Sequence, residues 1–500
     1  MKKIKIIHIA AEVSPFSKTG GLGDVTRSLP KALFRLGHKV AIITPLYSQL
    51  IDAKKHHLKL LYQDIKVIID SANTVSINIW RGQLINGLPV YFIENKEYFS
   101  KYRKIYVSEK DNIRFLVFNV SALKVISLLE LQPDIIHCHD WHTGLIPYFI
   151  KNKYRYTKNL EKTKTIFTIH NLSFQMGKAW YEVPLTKKDY GRKKLPLLND
   201  PGLLNINFVK RAILSADIIN TVSERYREEI MTKKFGQDLH HILKNREDRL
   251  FGIINGIDYN AYNPQNDKGL YKNYSFDNFL LKNENKKYLQ KKVHFTVDED
   301  IPLFCSTSRV AFQKGFDIIL KILPVLLKND IQIIFLGDGD IEYIKKIKKL
   351  QKKYPKKIAW FLFDKNKYPK NTKIPFLNQD KETLLYAASD FFILPSHHEP
   401  CGINQMIAMR YGAIPIVRDI GGLYDTVLNF NPSTNKGTGF SFKNYDDLSF
   451  FGAIIRALEN YKYKKVWYDL IVRAMKKSSS WEIPAQKYVE LYKKALRIKN

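Results

Sequence analysis

Apolar residues in this chain fall into short, β-branched runs separated by amphipathic stretches of helical length. KIKIIHIA (3–10) reads as a buried strand, DVTRSLPKALFRLG (24–37) as a helix and KVAIITP (39–45) as the next strand. PDIIHCHD (133–140), KTIFTIH (164–170), ADIINTVS (216–223) and FGIINGID (251–258) continue the alternation. A strand that is apolar throughout must be covered on both faces, so the pattern predicts a parallel sheet with helices on each side. The alternation stops over 259–299, which is polar, aromatic and irregular. It restarts with PLFCSTSRV (302–310), the helix GFDIILKILPVLLKN (315–329), and the strands IQIIFLG (331–337), KIAWFLF (357–363), DFFILPS (390–396) and AIPIVRD (413–419). Two doubly wound α/β domains are expected, 1–258 and 259–480, with residues 481–500 forming a helix that packs back on the first. Ligands of such sheets lie beyond the carboxyl ends of the strands. Two sheets facing each other would therefore hold a ligand in the cleft between them.

Composition narrows the class. The chain has 500 residues, more than one hydrophobic core usually covers, and its 45% hydrophobic content suffices for two. It contains no uncharged apolar run of about 18 residues, which predicts no membrane span. The opening MKKIKIIHIAAEV has a short apolar stretch interrupted by Lys5 and His8, so a first strand is expected there rather than a secretion signal. Cys138, Cys305 and Cys401 lie far apart without a CxxC pair. That argues against a disulfide framework or zinc site and for the reducing cytoplasm. The net charge of +33 could suit nucleic acid, an anionic surface or an acidic small substrate. Lysine is used heavily throughout, however, as in YIKKIKKLQKKYPKK (343–357), and no nucleic-acid module accompanies it. Neither a nucleic-acid nor a membrane partner is expected.

Polar residues cluster where the strands should end. SKTGGLGDV (17–25) is a glycine loop entering a helix; its N–H groups would favour a phosphate and Lys18 would add a charge. It lacks P-loop spacing, and a tight strand-to-helix turn would look the same. HCHDWHTGL (137–145) offers three histidines, but they straddle a strand end without HExxH spacing, and polar cleft lining is the better reading than metal. IHNLSFQ (169–175) ends a strand with His170 and Asn171. SRVAFQKGFD (308–317) sets Arg309 and Lys314 on one loop, as a diphosphate would require, although a solvated loop is the plain alternative. GDGD (337–340) contains a DxD but follows IQIIFL directly, so it reads as a turn capping the next helix. Finally, Glu399 and Gly402 in PSHHEPCGINQMIAMRYG (395–412) stand at one helix start, and Gly421 and Gly422 in GGLYDTV (421–427) at another. Bare N–H groups at both turns would suit an anionic nucleotide sugar.

These segments resemble bacterial glycogen synthases and plastid starch synthases. KTGGLGDV, HDWHTGL, HNLSFQ, INGID, SRVAFQKGFD, EPCGINQMIAMRYGAIPIVR and GGLYDTV stand in that family's order and approximate spacing, and SSWEIPAQKYVELYKKAL resembles its closing segment. The resemblance implies a GT-B fold and transfer of glucose from ADP-glucose to the non-reducing end of an α-1,4-glucan, with retention and without a metal or other cofactor. By motif, Lys18, Gly20 and Gly21 would contact the donor's phosphates and glucose, with Asp24 supporting their loop. His170 would touch the glucose and Asn255 would reach the sugar. Asp140, Trp141, His142 and Asn171 would line the acceptor side. Arg309 and Lys314 would neutralise the departing diphosphate. Glu399 would hold glucose hydroxyls and offset positive charge at the anomeric carbon, Cys401 and Gly402 would bond the sugar mostly through backbone, and Gly421 and Gly422 would face the phosphates.

The chain departs from the family at His397-His398, where Arg-Phe is usual, and at Ile420, where threonine is usual. The stretch 364–382 is longer and more basic than the family's connection, which helps form the base pocket; preference for ADP over UDP is therefore open. Two rival readings are a retaining glucosyltransferase using UDP-glucose and a non-catalytic glucan-binding homologue. Ile407, eight residues after Glu399, stands where many relatives carry a second glutamate, which favours the synthase reading. Retention of Lys18, His170, Arg309, Lys314 and Glu399 argues against a silent homologue.

Overall fold

The computed structural model describes residues 3–154, 159–362 and 382–498. It divides into two compact units, Met1–Asn255 with Trp481–Asn500, and Gly256–Ser480. No described helix is long and apolar enough to cross a membrane.

The first unit is built on nine strands: β1 (Lys5–Ile9), β2 (Lys39–Pro45), β3 (Lys59–Ile68), β4 (Thr74–Ile85), β5 (Leu88–Glu94), β6 (Ile135–His139), β7 (Lys164–Ile169), β8 (Ile218–Thr221) and β9 (Leu250–Gly252). Their order is β3-β4-β5-β2-β1-β6-β7-β8-β9, parallel from β5 to β9. Only β4 runs antiparallel to its neighbours β3 and β5. β6 and β7 are buried at every position, which is why they read as continuous apolar runs. β3 is mostly exposed at the sheet edge, with two register shifts against β4, and has no such pattern. β9 is shorter than the run 251–258: after Gly252 one bond, from Ile253 N–H to the Thr221 carbonyl, continues the pairing before the chain leaves the sheet. The helix Glu482–Leu496 packs on this sheet, and its buried Tyr488 and Tyr492 bond Asn220 on β8 and His137 on β6.

The second unit holds β10 (Leu303–Thr307), β11 (Gln332–Leu336), β12 (Ile358–Phe361), β13 (Phe391–Leu394), β14 (Ile414–Arg418) and β15 (Phe440–Phe442). All are parallel, in the order β12-β11-β10-β13-β14-β15. β10 to β14 are buried at every residue. In each sheet the chain starts near the middle and builds outward in both directions. The strand order therefore reverses beside β1 in one unit and beside β10 in the other. Those are the points where adjacent loops diverge and leave a crevice for a ligand.

Candidate active site

In the first unit, the loop after β1 is organised by Glu12, a buried residue for which sequence spacing gave no signal. Its Oε2 accepts the backbone N–H groups of Thr19 (2.5 Å) and Gly20 (3.2 Å), and its Oε1 accepts the Tyr106 hydroxyl. Burial holds this carboxyl above its usual range, against the opposing pull of those bonds. The Gly20 N–H is therefore committed to Glu12 and is not bare, as the glycine spacing suggested. Gly21 opens the helix Gly21–Arg35, which has no side-chain cap, so its first-turn N–H groups are left for solvent or an anion. Lys18 pairs with Asp24 at 2.8 Å in the same turn.

Asp140, just past β6, sits at φ 61°, ψ 177°, a region that costs a non-glycine residue about 1–3 kcal/mol. Its N–H donates to the Thr168 carbonyl (2.9 Å), and its Oδ1 accepts the His170 N–H (3.1 Å). Burial raises its carboxyl to about 7, partly offset by N–H groups of His170 and Asn171. The strained backbone thus ties the end of β6 to the end of β7. His170 is half-buried, and burial lowers its imidazole to about 3, so the ring acts as a neutral hydrogen-bonding group. Asn171 accepts the Ser173 N–H (3.0 Å) and shapes the turn after β7. Asn255 is buried, and its side-chain oxygen has no partner among the described residues.

Trp141 and His142 differ from the expected acceptor lining. Trp141 is 5% exposed and packs edge-on against Phe115 and Phe208, while His142 is buried and stacks on Tyr106. Both side chains turn from the short helical turn 141–143 into the core and pack among these aromatic rings.

In the second unit, three loops at the carboxyl ends of β10, β13 and β14 press together through their backbones. Gly315 has φ 80°, and a Cβ there would lie 2.2 Å from the Pro395 carbonyl oxygen. A Cβ at Gly422 would lie 2.0 Å from the Cys401 carbonyl oxygen. Gly402, at φ 68°, permits the sharp turn that leads into the helix Asn404–Arg410. Close packing brings Lys314 Nζ to 2.5 Å from Glu399 Oε2, which also accepts the Ser396 hydroxyl at 3.0 Å. Glu399 is 6% exposed, and among the described residues its Oε1 has no partner. Arg309 bonds Gln313 Oε1 at 3.1 Å on the same loop as Lys314. Cys401 is buried and, like the other two cysteines, forms no disulfide.

The Gly422 N–H donates to the Glu399 carbonyl (3.1 Å), and those of Leu423 and Tyr424 donate to Ile420. Gly422 is therefore not a bare donor; its role is to let one turn lie against the other. His397, standing where the family has arginine, is held by the Gln313 carbonyl and packs on Phe312 and Tyr445, while Arg418 donates to its carbonyl. Burial lowers His398, beside Glu399 and Lys314, to about 4. Asp340 caps the helix Ile341–Lys353 through the Glu342 N–H (2.8 Å), so half of the DxD pair has a structural task. Residues 364–381 of the altered connection lie outside the described residues.

A buried carboxylate with one open oxygen, paired with Lys314 on a loop that also carries Arg309, can bind sugar hydroxyls and an anionic leaving group together. With two parallel-sheet units, these features define a GT-B glycosyltransferase. Residues 5–245 match the family model of the starch synthase catalytic domain and residues 289–469 that of glycosyl transferases group 1. The chain is 38% identical to glycogen synthase of Geotalea uraniireducens and 39% identical to that of Thermosipho melanesiensis, over 99% of each chain. It is similar to the catalytic domain of starch synthase IV from Arabidopsis thaliana bound to ADP and acarbose, with a TM-score of 0.86 and 31% identity, covering 99% of this chain and 100% of that one. The chain belongs to the glycogen and starch synthase family of glucosyltransferases.

Proposed function

We propose that the protein extends the non-reducing ends of an α-1,4-glucan with glucose from ADP-glucose, with retention of configuration, in the cytoplasm. The observation that carries this reading is the contact of Lys314 with Glu399 at the carboxyl ends of β10 and β13. Lys314 and Arg309 take the diphosphate as negative charge grows on it, and Lys314 exchanges Glu399 for phosphate oxygens when the donor binds. Glu399 then holds the glucose hydroxyls and faces the positive charge that develops at the anomeric carbon. Among the described residues one carboxylate, Glu399, serves the reacting carbon, in contrast to the close pair of retaining hydrolases, so attack and departure occur on the same face. Lys18 and the first turn of the helix Gly21–Arg35 contribute to the donor's phosphates and glucose, and His170 contacts the sugar. Asp140 and Asn171 shape the acceptor side.

Calorimetric titration of ADP tests the cation assignments without turnover. Lys314→Ala and Arg309→Ala should each weaken ADP binding about 10- to 100-fold, the loss of one charge-assisted hydrogen bond. Unchanged ADP affinity in both variants would remove the diphosphate from this loop.

A further inference from the structure

One face of the first sheet carries a row of imidazoles that the roles above use only at its end. Parallel pairing sets His8 on β1 beside His137 on β6, and His139 follows on the same face two residues later. His8 Nδ1 lies 2.9 Å from His139 Nε2, and His139 Nδ1 lies 3.0 Å from His170 Nε2. His137 stands alongside, 4.2 Å from the His139 ring centre, with Nδ1 on the Tyr492 hydroxyl and Nε2 on the Thr168 hydroxyl. His8, His137 and His139 are fully buried, and burial lowers all four rings far enough to keep them neutral. A neutral imidazole carries one N–H and one lone pair. The row His8–His139–His170 is therefore directional: every bond donates toward His170, or every bond donates away from it.

The buried end decides between the two. His8 Nε2 is buried without a partner among the described residues. If the row donated inward, that atom would be an N–H with nothing to receive it. If it donates outward, the atom is only an unused lone pair. Orphaned buried N–H groups are the rarer and costlier of the two. We propose that His8 and His139 are positioning residues that fix His170 as its Nδ1–H tautomer, so that this ring donates a hydrogen bond to the ligand. The consequence for catalysis rests on reading His170 as a sugar contact; the tautomer does not. A donor at this point selects a sugar oxygen whose own proton is engaged elsewhere.

His8, His137 and His139 also offer nitrogens within 4.8 Å of one another, as a metal site would. Both nitrogens of His137 are already engaged, however. The 2.9 Å between His8 and His139 is the spacing of a shared proton and is shorter than the roughly 3.3 Å between two nitrogens on one tetrahedral zinc.

Long-range ¹H–¹⁵N spectra of the full chain labelled at histidine, with His170 assigned by the His170→Gln variant, read the tautomer directly. The expected result is a protonated Nδ1 and an unprotonated Nε2 on His170. The opposite tautomer, or an even mixture, would overturn the proposal. His8→Asn keeps a donor and should preserve the His170 signature. His8→Asp, recorded at a pH high enough to ionise the new carboxyl, can only accept; it should then reverse the row, move the proton to Nε2 and lower kcat/KM about tenfold. If His8→Asp does not fold, the wild-type and His8→Asn spectra still decide the matter. The expected tautomer, reversed in a folded His8→Asp without loss of activity, would support the row and count instead against His170 as a sugar contact.

Discussion

Acidification should unfold this protein steeply, because it buries neutral imidazoles that the unfolded chain would protonate. Burial lowers His8 and His170 to about 3 and His398 to about 4, and holds His137, His139 and His142 well below the usual range. Unfolded, each titrates near 6.5 and is roughly 90% protonated at pH 5.5. Asp140, raised to about 7, acts in the opposite sense: it keeps its proton in the fold and releases it on unfolding, and the upward shift of Glu12 pulls the same way. Net uptake on unfolding at pH 5.5 is then about four protons, a slope of ~5 kcal/mol per pH unit. The stability contributed by a depressed imidazole is fully present above its unfolded value and lost as pH falls from about 6.5 towards 3. Asp140 favours the fold below about 7, which softens this slope without reversing it. Proton uptake measured by pH-stat during urea unfolding at pH 5.5, and again at pH 8, gives the count. Uptake of about four at the lower pH and near none from these rings at the higher one is expected. Uptake of one or fewer at pH 5.5 would refute the claim that these rings are buried and neutral.

Three further outcomes follow from particular contacts. Gly422→Ala places a methyl group 2.0 Å from the Cys401 carbonyl oxygen and should destabilise the protein by about 1–3 kcal/mol, measured by urea denaturation. Glu12→Ala releases the Thr19 and Gly20 N–H groups and the Tyr106 hydroxyl, so the donor KM should rise about tenfold with a smaller change in kcat, read from initial rates. Arg211 is fully buried and bonds both oxygens of Asp189, at 2.8 and 2.9 Å; Asp189→Ala should lower stability by about 3–5 kcal/mol, and a loss below 1 kcal/mol in urea melts would contradict that buried pairing.

The fold was legible wherever a strand is buried on both faces, because burial leaves an unbroken apolar run. β6, β7, β10 and β14 are such strands. β3 has no apolar run because an exposed edge strand can carry polar residues at most positions, and β4 alternates instead, with Ile77 and Ile79 buried between half-exposed neighbours as in a strand covered on one face. At the site, Lys18, Arg309, Lys314 and Glu399 stood out because each lies in a glycine-bearing turn just after an apolar run. Glu12 could not stand out, since its role depends on a loop that returns seven residues later. The bond from Gly422 N–H to the Glu399 carbonyl joins two separate turns and leaves no mark in either. His8 did leave a signal, an imidazole inside a strand with no exposed face, and HCH in β6 repeats it at strand spacing. Only the register of β1 against β6 turns those two hints into one row.

Incorporation of labelled glucose into glycogen from ADP-glucose and UDP-glucose, side by side, with Glu399→Ala as the control, tests donor and site together. Transfer from ADP-glucose in preference to UDP-glucose is expected, with a loss of about 100-fold or more in the variant. Preference for UDP-glucose would contradict the donor assignment, and undiminished transfer by Glu399→Ala would contradict the site.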